Sequence, residues 1–398
     1  MQINLPKRCS IGYHADILKL VHQTLDQHHI DHAFVPSIYY DCPELDPDKM
    51  TPNTLMIFPH CDQVTPMVAD VWIRKGQPFA GNPMLILTSV EGVEKDYPDL
   101  PKNYSYIHIG GDMLFQRGDY PLIAPQKEKN PDMGRFWISL SQTPKSGRIL
   151  TACCLLGHDL GFDHGHRPES GVLRISPDFF LEVPNAQAQL VNLKNFSSWS
   201  QCYVGTHSLN TRQQAIMQKG FELLCQGKNG GTPSGAEYSQ VNGSAGVVSG
   251  PDNATNFQKF LRPLYANSLV ELINETTFFN QAIFVTEKFL NSVYGYNLPI
   301  VFSNAGTVEY LRQNGFDMCD DVVDHSYDLI QDPLQRIFCA VESNKRLLTD
   351  KAHAWQAWKK AVPRLDANYE FARDRMYDHF TNKVKIQLEQ FIQQFKKV

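Results

Sequence analysis

Short, continuous apolar runs bounded by polar loops are the feature that most constrains the fold of this chain. They are TLMIFP (54–59), PMLILTSV (83–90), YSYIHIGG (104–111), RFWISL (135–140), GVLRIS (171–176), SLVELINE (268–275) and LPIVFSNAG (298–306). Runs of this kind, about four to eight residues long, are typical of strands that are buried on both faces, as in a parallel sheet. Helical patterns lie between the runs, and this alternation predicts an α/β protein.

Amphipathic spacing predicts the helices. It marks segments 14–30, 148–160, 284–296 and 307–315, and the chain turns helical again from about Lys351. Near the C-terminus, apolar residues recur every three or four positions, which indicates one buried stripe on a long final helix. The stripe consists of Met376, Phe380, Val384, Leu388, Ile392 and Phe395.

A length of 398 residues suits two or three domains. We predict an N-terminal α/β domain over residues 1–130 and a second α/β domain over 131–350. Basic helices over 351–398 are expected to pack across both. Residues 226–256 are rich in Gly, Ser and Asn, so a flexible loop is expected there.

Composition and motifs exclude several classes of protein. No apolar stretch is long enough for a transmembrane helix, and the N-terminus does not resemble a signal peptide. The nine cysteines are scattered and form no CxxC pair, so a reduced, cytoplasmic setting is expected. No P-loop, GxGxxG fingerprint or GxSxG elbow is present. The net charge is −5, although segment 345–398 holds 12 basic and 6 acidic residues.

The segment from Glu271 to Gly306 carries the most chemical information. A strand ends at the carboxylate of Glu275, and Thr286, Glu287 and Lys288 then open a helix. The positive end of a helix and a nearby lysine can hold a diphosphate, while a carboxylate can accept hydrogen bonds from sugar hydroxyls. A helix start with a capping threonine and a solvated lysine is the competing interpretation.

This segment resembles the donor-binding half of nucleotide-sugar glycosyltransferases of the GT-B architecture, which have two facing Rossmann-like domains. Fucosyltransferases of this kind carry a carboxylate, a spacer, a Thr-Glu-Lys triplet and a Pro-containing strand. The chain is most similar to glycosyltransferases of bacteriophages and large viruses, through LRQNGFD (311–317) and HSYDLIQD (325–332). The resemblance implies that Glu275, Thr286, Glu287 and Lys288 bind the donor.

A second point of resemblance lies at RFWISLSQTPKSGRILTACCLL (135–156). In the resembled proteins, an arginine that opens the helix after a strand faces the donor phosphates. Arg148 stands at that point here, and Lys145 lies in the preceding loop. Gly147 stands where the resembled proteins usually have histidine. A solvated arginine at a helix start is the alternative.

The N-terminal half supplies candidates for a general base. His60 and Asp62 follow one predicted strand and Asp112 follows another, and ligands bind at the carboxyl ends of parallel strands. Loop capping is the alternative for each of them. The histidines and aspartates of GHDLGFDHGHR (157–167) match no standard metal spacing, so no metal and no cofactor is expected.

These observations predict transfer of a sugar from a nucleoside diphosphate to an acceptor hydroxyl. One acceptor is a hydroxymethylated base in phage DNA, with duplex DNA bound by the basic tail in the host cytoplasm. A cytoplasmic glycan or lipid-linked precursor is another acceptor, and a non-catalytic protein that retains a GT-B shell is the alternative to an enzyme.

Overall fold

A computed structural model describes the fold of the chain. The described residues are 12–35, 50–60, 72–73, 77–79, 81–110, 124–129, 136–139, 146–158, 160, 209–226, 265–266, 268–275, 278 and 281–397. The predicted strand at 171–176 lies outside these residues, and so does the predicted loop at 226–256 except for Gln226, which is the last residue of a helix.

Parallel strands alternate with helices in the described part of the chain. The strands are β1 (His32–Phe34), β2 (Leu55–His60), β3 (Met84–Thr88), β4 (Tyr104–His108), β5 (Phe136–Ser139), β6 (Val270–Asn274) and β7 (Leu298–Phe302). The α-helices are α1 (Gly12–Gln27), α2 (Val93–Asp96), α3 (Ser146–Gly157), α4 (Thr211–Gln226), α5 (Glu287–Gly295), α6 (Thr307–Gln313), α7 (Pro333–Ser343), α8 (Lys345–Thr349), α9 (Lys351–Glu370) and α10 (Met376–Phe395). The α/β class predicted from the apolar runs is therefore confirmed.

The chain divides into two compact units. Unit 1 comprises 1–121, 280–287 and 373–398, and unit 2 comprises 122–279 and 288–372. None of the described helices combines the length and apolarity needed to cross a membrane.

Unit 1 contains a parallel sheet of order β1-β2-β3-β4. At its carboxyl edge Thr88 lies opposite His60 on one side and His108 on the other. The apolar core includes Met56, Phe58, Ile86 and Phe284, so that segment 280–287 contributes to this unit. The two central strands, β2 and β3, are mainly apolar because side chains on both of their faces are buried, as expected for parallel sheets. The first three residues of β4 are only partly buried.

The helix predicted over 284–296 starts too early, because residues 284–286 are not helical. The helix α5 begins only at Glu287. Before it, Ile283 forms an antiparallel bridge with Glu91, and the backbone N–H groups of Gln281 and Ala282 donate to Asp96. Burial of Phe284 in the core of unit 1 holds this stretch in a non-helical conformation.

The predicted apolar stripe of the C-terminal helix is confirmed. Five of its six residues are buried on α10, and Phe395 is half-buried. Gln387 on the same helix binds the backbone of His108 in both directions: the N–H of His108 donates to it at 3.1 Å, and its amide donates to the carbonyl at 3.2 Å. The helical region predicted from Lys351 consists of two helices, α9 and α10, which a π-helical segment at Phe371–Arg375 separates.

Unit 2 contains a parallel sheet of order β5-β6-β7. On the side of β7 away from β6, side chains replace a neighbouring strand. The backbone N–H of Val301 donates to the Tyr327 hydroxyl at 2.8 Å, and the carbonyl of Pro299 lies 3.0 Å from Nε2 of His325. Pro299 has no N–H to donate, which suits an edge position.

Candidate functional site

Polar groups gather at the carboxyl edge of the sheet in unit 2. Because β5, β6 and β7 are parallel, the segments that follow them lie at one edge, where α/β proteins bind ligands. These segments lead to the first turn of α3, to Glu275 and to the turn at Ser303 and Asn304. We take this carboxyl edge as the candidate site.

Asn274 and Glu275 end the central strand and are almost completely buried, with exposed fractions of 0% and 1%. Strand alternation places their side chains on opposite faces of the sheet. The amide nitrogen and oxygen of Asn274 have no hydrogen-bond partner within the structure as described. A buried polar group in that state is costly.

Arg336 on α7 ties two loops of the candidate site together. Its guanidinium is 3% exposed and donates to the carbonyls of Phe278 at 2.9 Å and Ser303 at 2.8 Å, and to those of Ile330 and Gln331. Burial lowers the pKa of Arg336 to about 10. The loop after β6 and the turn after β7 are therefore held in fixed positions by one buried side chain.

The first turn of α3 packs against the loop after β6. A Cβ atom on Gly147 would lie 2.7 Å from the ring of Phe278, closer than side chains tolerate. This contact explains why glycine stands where the resembled proteins have histidine. The helix begins at Ser146, two residues before the predicted start, and it places the backbone of Arg148 in this first turn. The side chain of Arg148 lies outside the described part.

Lys288 is the second residue of α5, and only 7% of it is exposed. The expectation of a mobile or solvated lysine is therefore wrong. Thr286, directly before the helix, is also buried, while the side chain of Glu287 is not described. A lysine is rarely buried without a specific role for its charge.

The turn after β7 is shaped by Asp328. Its two carboxylate oxygens each accept a hydrogen bond at 3.0 Å, from the backbone N–H groups of Val308 and Glu309 in the first turn of α6. Gly306, which precedes this helix, has φ +84°, a conformation that favours glycine. Burial raises the pKa of Asp328, and the two N–H donors oppose that rise.

The motif HSYD therefore acts as scaffold in this structure. Tyr327 supports β7, Asp328 caps α6, and the ring of His325 lies between Asp320 and Pro299. A cavity of about 820 Å³ opens beside these residues. Several of its charged groups pair with one another, as Arg312 does with Asp320.

The predicted general bases belong to unit 1. His60 is the last residue of β2, but its side chain is not described. Asp62 and Asp112 lie outside the described residues, and so does Lys145, the residue predicted to bind the donor.

His108 is a buried histidine at the carboxyl edge of the sheet in unit 1 that the sequence interpretation missed. Its ring is buried, with Nε2 3.1 Å from the carbonyl of Ser89 and Nδ1 3.4 Å from Glu91. Burial lowers the pKa of His108 to about 4, so the ring is neutral at pH 7.

We compared the chain with known proteins. No protein-family model, no curated protein and no solved structure matches this chain. The case for a function therefore depends on the residues of the two sheet edges.

Proposed function

We propose that this protein is a glycosyltransferase that uses a nucleoside-diphosphate sugar and has a GT-B-like arrangement of two Rossmann-like units. The observation that carries the proposal is the pair Asn274 and Glu275, which places an unpartnered amide and a carboxylate at the carboxyl edge of a parallel sheet. Sugar and ribose hydroxyls both donate and accept hydrogen bonds, so such a hydroxyl can pair with an amide or with a carboxylate.

The diphosphate needs positive charge. The N-terminal turns of α3 and α5 carry Arg148 and Lys288, with Lys145 before the first helix and Thr286 and Glu287 at the start of the second. Helix N-termini attract phosphate through free N–H groups and the helix dipole. In the proposed reaction these cations stabilise the charge that develops on the leaving diphosphate, a term that is usually the largest in such catalysis.

On the acceptor side, we propose that His60, Asp62 or Asp112 removes the proton of the acceptor hydroxyl. A general base has to lie within hydrogen-bond reach of that hydroxyl. No metal and no cofactor is part of the proposal, because protein cations hold the donor in the resembled glycosyltransferases.

Binding of a panel of UDP- and GDP-sugars, measured by calorimetry, tests the donor site. Lys288→Met should weaken binding by about 10- to 150-fold, since one charge-assisted hydrogen bond contributes about 1.5–3 kcal/mol and 1.4 kcal/mol is tenfold. Lys345→Met is the matched control, because Lys345 is an exposed lysine of the same unit. Equal affinities for both variants, with both folded, would refute the donor site. Binding without donor hydrolysis or transfer would identify a non-catalytic shell.

The acceptor needs a separate experiment. Several basic residues of the C-terminal segment already pair within their own units: Lys360 and Arg364 with Asp321, and Lys383 with Glu91. A DNA duplex would compete with these carboxylates. If duplex DNA is the acceptor, sugar transfer should require hydroxymethylated bases, and DNA affinity should fall steeply with salt. Transfer to glycan or lipid-linked acceptors alone would exclude DNA.

A further inference from the structure

Three ligand-type side chains meet at the end of α1 in unit 1, and none of them belongs to the candidate site described above. His22 and Asp26 lie one turn apart on α1, and His32 is the first residue of β1. One ligand atom from each of the three lies within 4.8 Å of the others. Nδ1 of His22 is 2.8 Å from Nε2 of His32, and Nε2 of His22 is 3.4 Å from the carboxylate of Asp26.

The orientation of His32 is the second observation. Its Nδ1 lies 2.8 Å from the carbonyl oxygen of Ile30, and a carbonyl only accepts, so Nδ1 carries the hydrogen. In the neutral ring Nε2 then holds a lone pair, and that atom faces His22. A histidine that binds a metal typically donates its other N–H to a carbonyl or carboxylate in this way.

The three side chains differ in exposure. His32 is 2% exposed. His22 is partly exposed and Asp26 is exposed, so an ion can reach the cluster from the surface. Two imidazoles and a carboxylate form a ligand set that suits zinc, with an open fourth position for water.

We propose that His22, Asp26 and His32 form a binding site for Zn²⁺ or a similar divalent transition metal. Bonds of about 2.0–2.1 Å in tetrahedral geometry separate ligand atoms by roughly 3.3 Å. The two imidazole nitrogens therefore move apart by roughly 0.5 Å, and the exposed Asp26 rotates towards them. The ion would fix the last turns of α1 to the start of β1. This site does not depend on the proposed glycosyltransfer.

Co²⁺ and Zn²⁺ binding to the full chain, after dialysis against EDTA, tests the site. Co²⁺ should give visible absorption typical of tetrahedral coordination, and Zn²⁺ should displace it. His22→Gln and Asp26→Asn should each weaken binding by at least about 100-fold, more than the loss of an outer-shell partner costs. His28→Gln, which alters a histidine just beyond the end of α1, is the matched control and should bind normally.

His22→Cys supplies a direct readout of ligation. If residue 22 contacts the ion, the thiolate should bind Co²⁺ and add a charge-transfer band in the near ultraviolet. The absence of that band, or equal Zn²⁺ affinity in the His22→Gln, Asp26→Asn and His28→Gln proteins, would overturn the proposal. So would the absence of any binding, which would leave a single N–H···N hydrogen bond between His22 and His32.

Discussion

Substitution of Asn274 should change stability and donor binding in opposite directions. Both polar atoms of its amide are buried without a partner in the described structure, and each such group costs about 1–3 kcal/mol. Leucine has the same branched four-atom side chain without polar atoms. Asn274→Leu should therefore raise the free energy of unfolding by about 1–3 kcal/mol, while nucleotide-sugar affinity falls by about tenfold, because neutral hydrogen bonds contribute about 0.5–1.5 kcal/mol each.

Asn297 offers a matched control in the same unit. It is also buried, at 1% exposed, but its amide donates to the Ser268 hydroxyl at 2.8 Å and accepts from the Lys129 ammonium at 2.6 Å. Asn297→Leu leaves both partners with an unmade hydrogen bond. It should lower the free energy of unfolding by at least about 1–3 kcal/mol.

Urea unfolding at constant m-value measures both effects. Thermal midpoints should move by about 2–4 °C per kcal/mol for a unit of this size. If Asn274→Leu destabilises the protein as much as Asn297→Leu does, the amide is satisfied and the reasoning is wrong. If it stabilises the protein and donor affinity is unchanged, the amide is unpartnered but does not face the donor.

Three further substitutions test the scaffold around the candidate site. Tyr327→Phe should cost about 1–3 kcal/mol in urea unfolding, because it leaves the buried N–H of Val301 unpaired; no change would mean that another group binds this N–H. Gly147→His should destabilise the protein by about 1–3 kcal/mol through overlap with Phe278, and Phe278→Ala in the same chain should recover part of that loss, whereas strictly additive effects would contradict the contact. His325 and Arg312 hold the pKa of Asp320 below its ordinary value of about 3.9. The contribution of Asp320 to the free energy of unfolding is therefore present above about pH 4 and is lost as the pH falls through the pKa of the folded protein. Asp320→Asn should lower the urea midpoint at pH 7, with a difference that shrinks below pH 4; a constant difference would show that charge is not involved.

The strands were predictable because local sequence determines them. LMIF, MLIL and LPIV are apolar on both faces. The strands β3 and β7 lie inside the predicted segments, and β2 is shifted from its predicted segment by one residue. The stripe on α10 was predictable for the same reason, since one helix face carries all of its buried apolar residues. Burial patterns of this kind appear within a window of a few residues.

The side-chain contacts of the candidate site were not predictable in this way. The cap from Asp328 to α6 spans about 20 residues, and the hydrogen bond from Arg336 to Phe278 spans 58. Sequence spacing gives no sign of either contact. The non-helical path of segment 284–286 was missed because helix-like spacing continues through Phe284, whereas burial in the core of unit 1 determines its conformation.

These contacts also reduce the support that the resemblance to glycosyltransferases gives to a catalytic function. The motif residues Tyr327 and Asp328 support β7 and α6, so they would be expected in a catalyst and in a non-catalytic shell alike. Asn274 is different, because an unpartnered buried amide lowers the stability of a protein that does not use it. The proposal of a nucleotide-sugar site therefore depends more on Asn274 than on the motif. It follows that stability and donor affinity should be measured together in variants of Asn274.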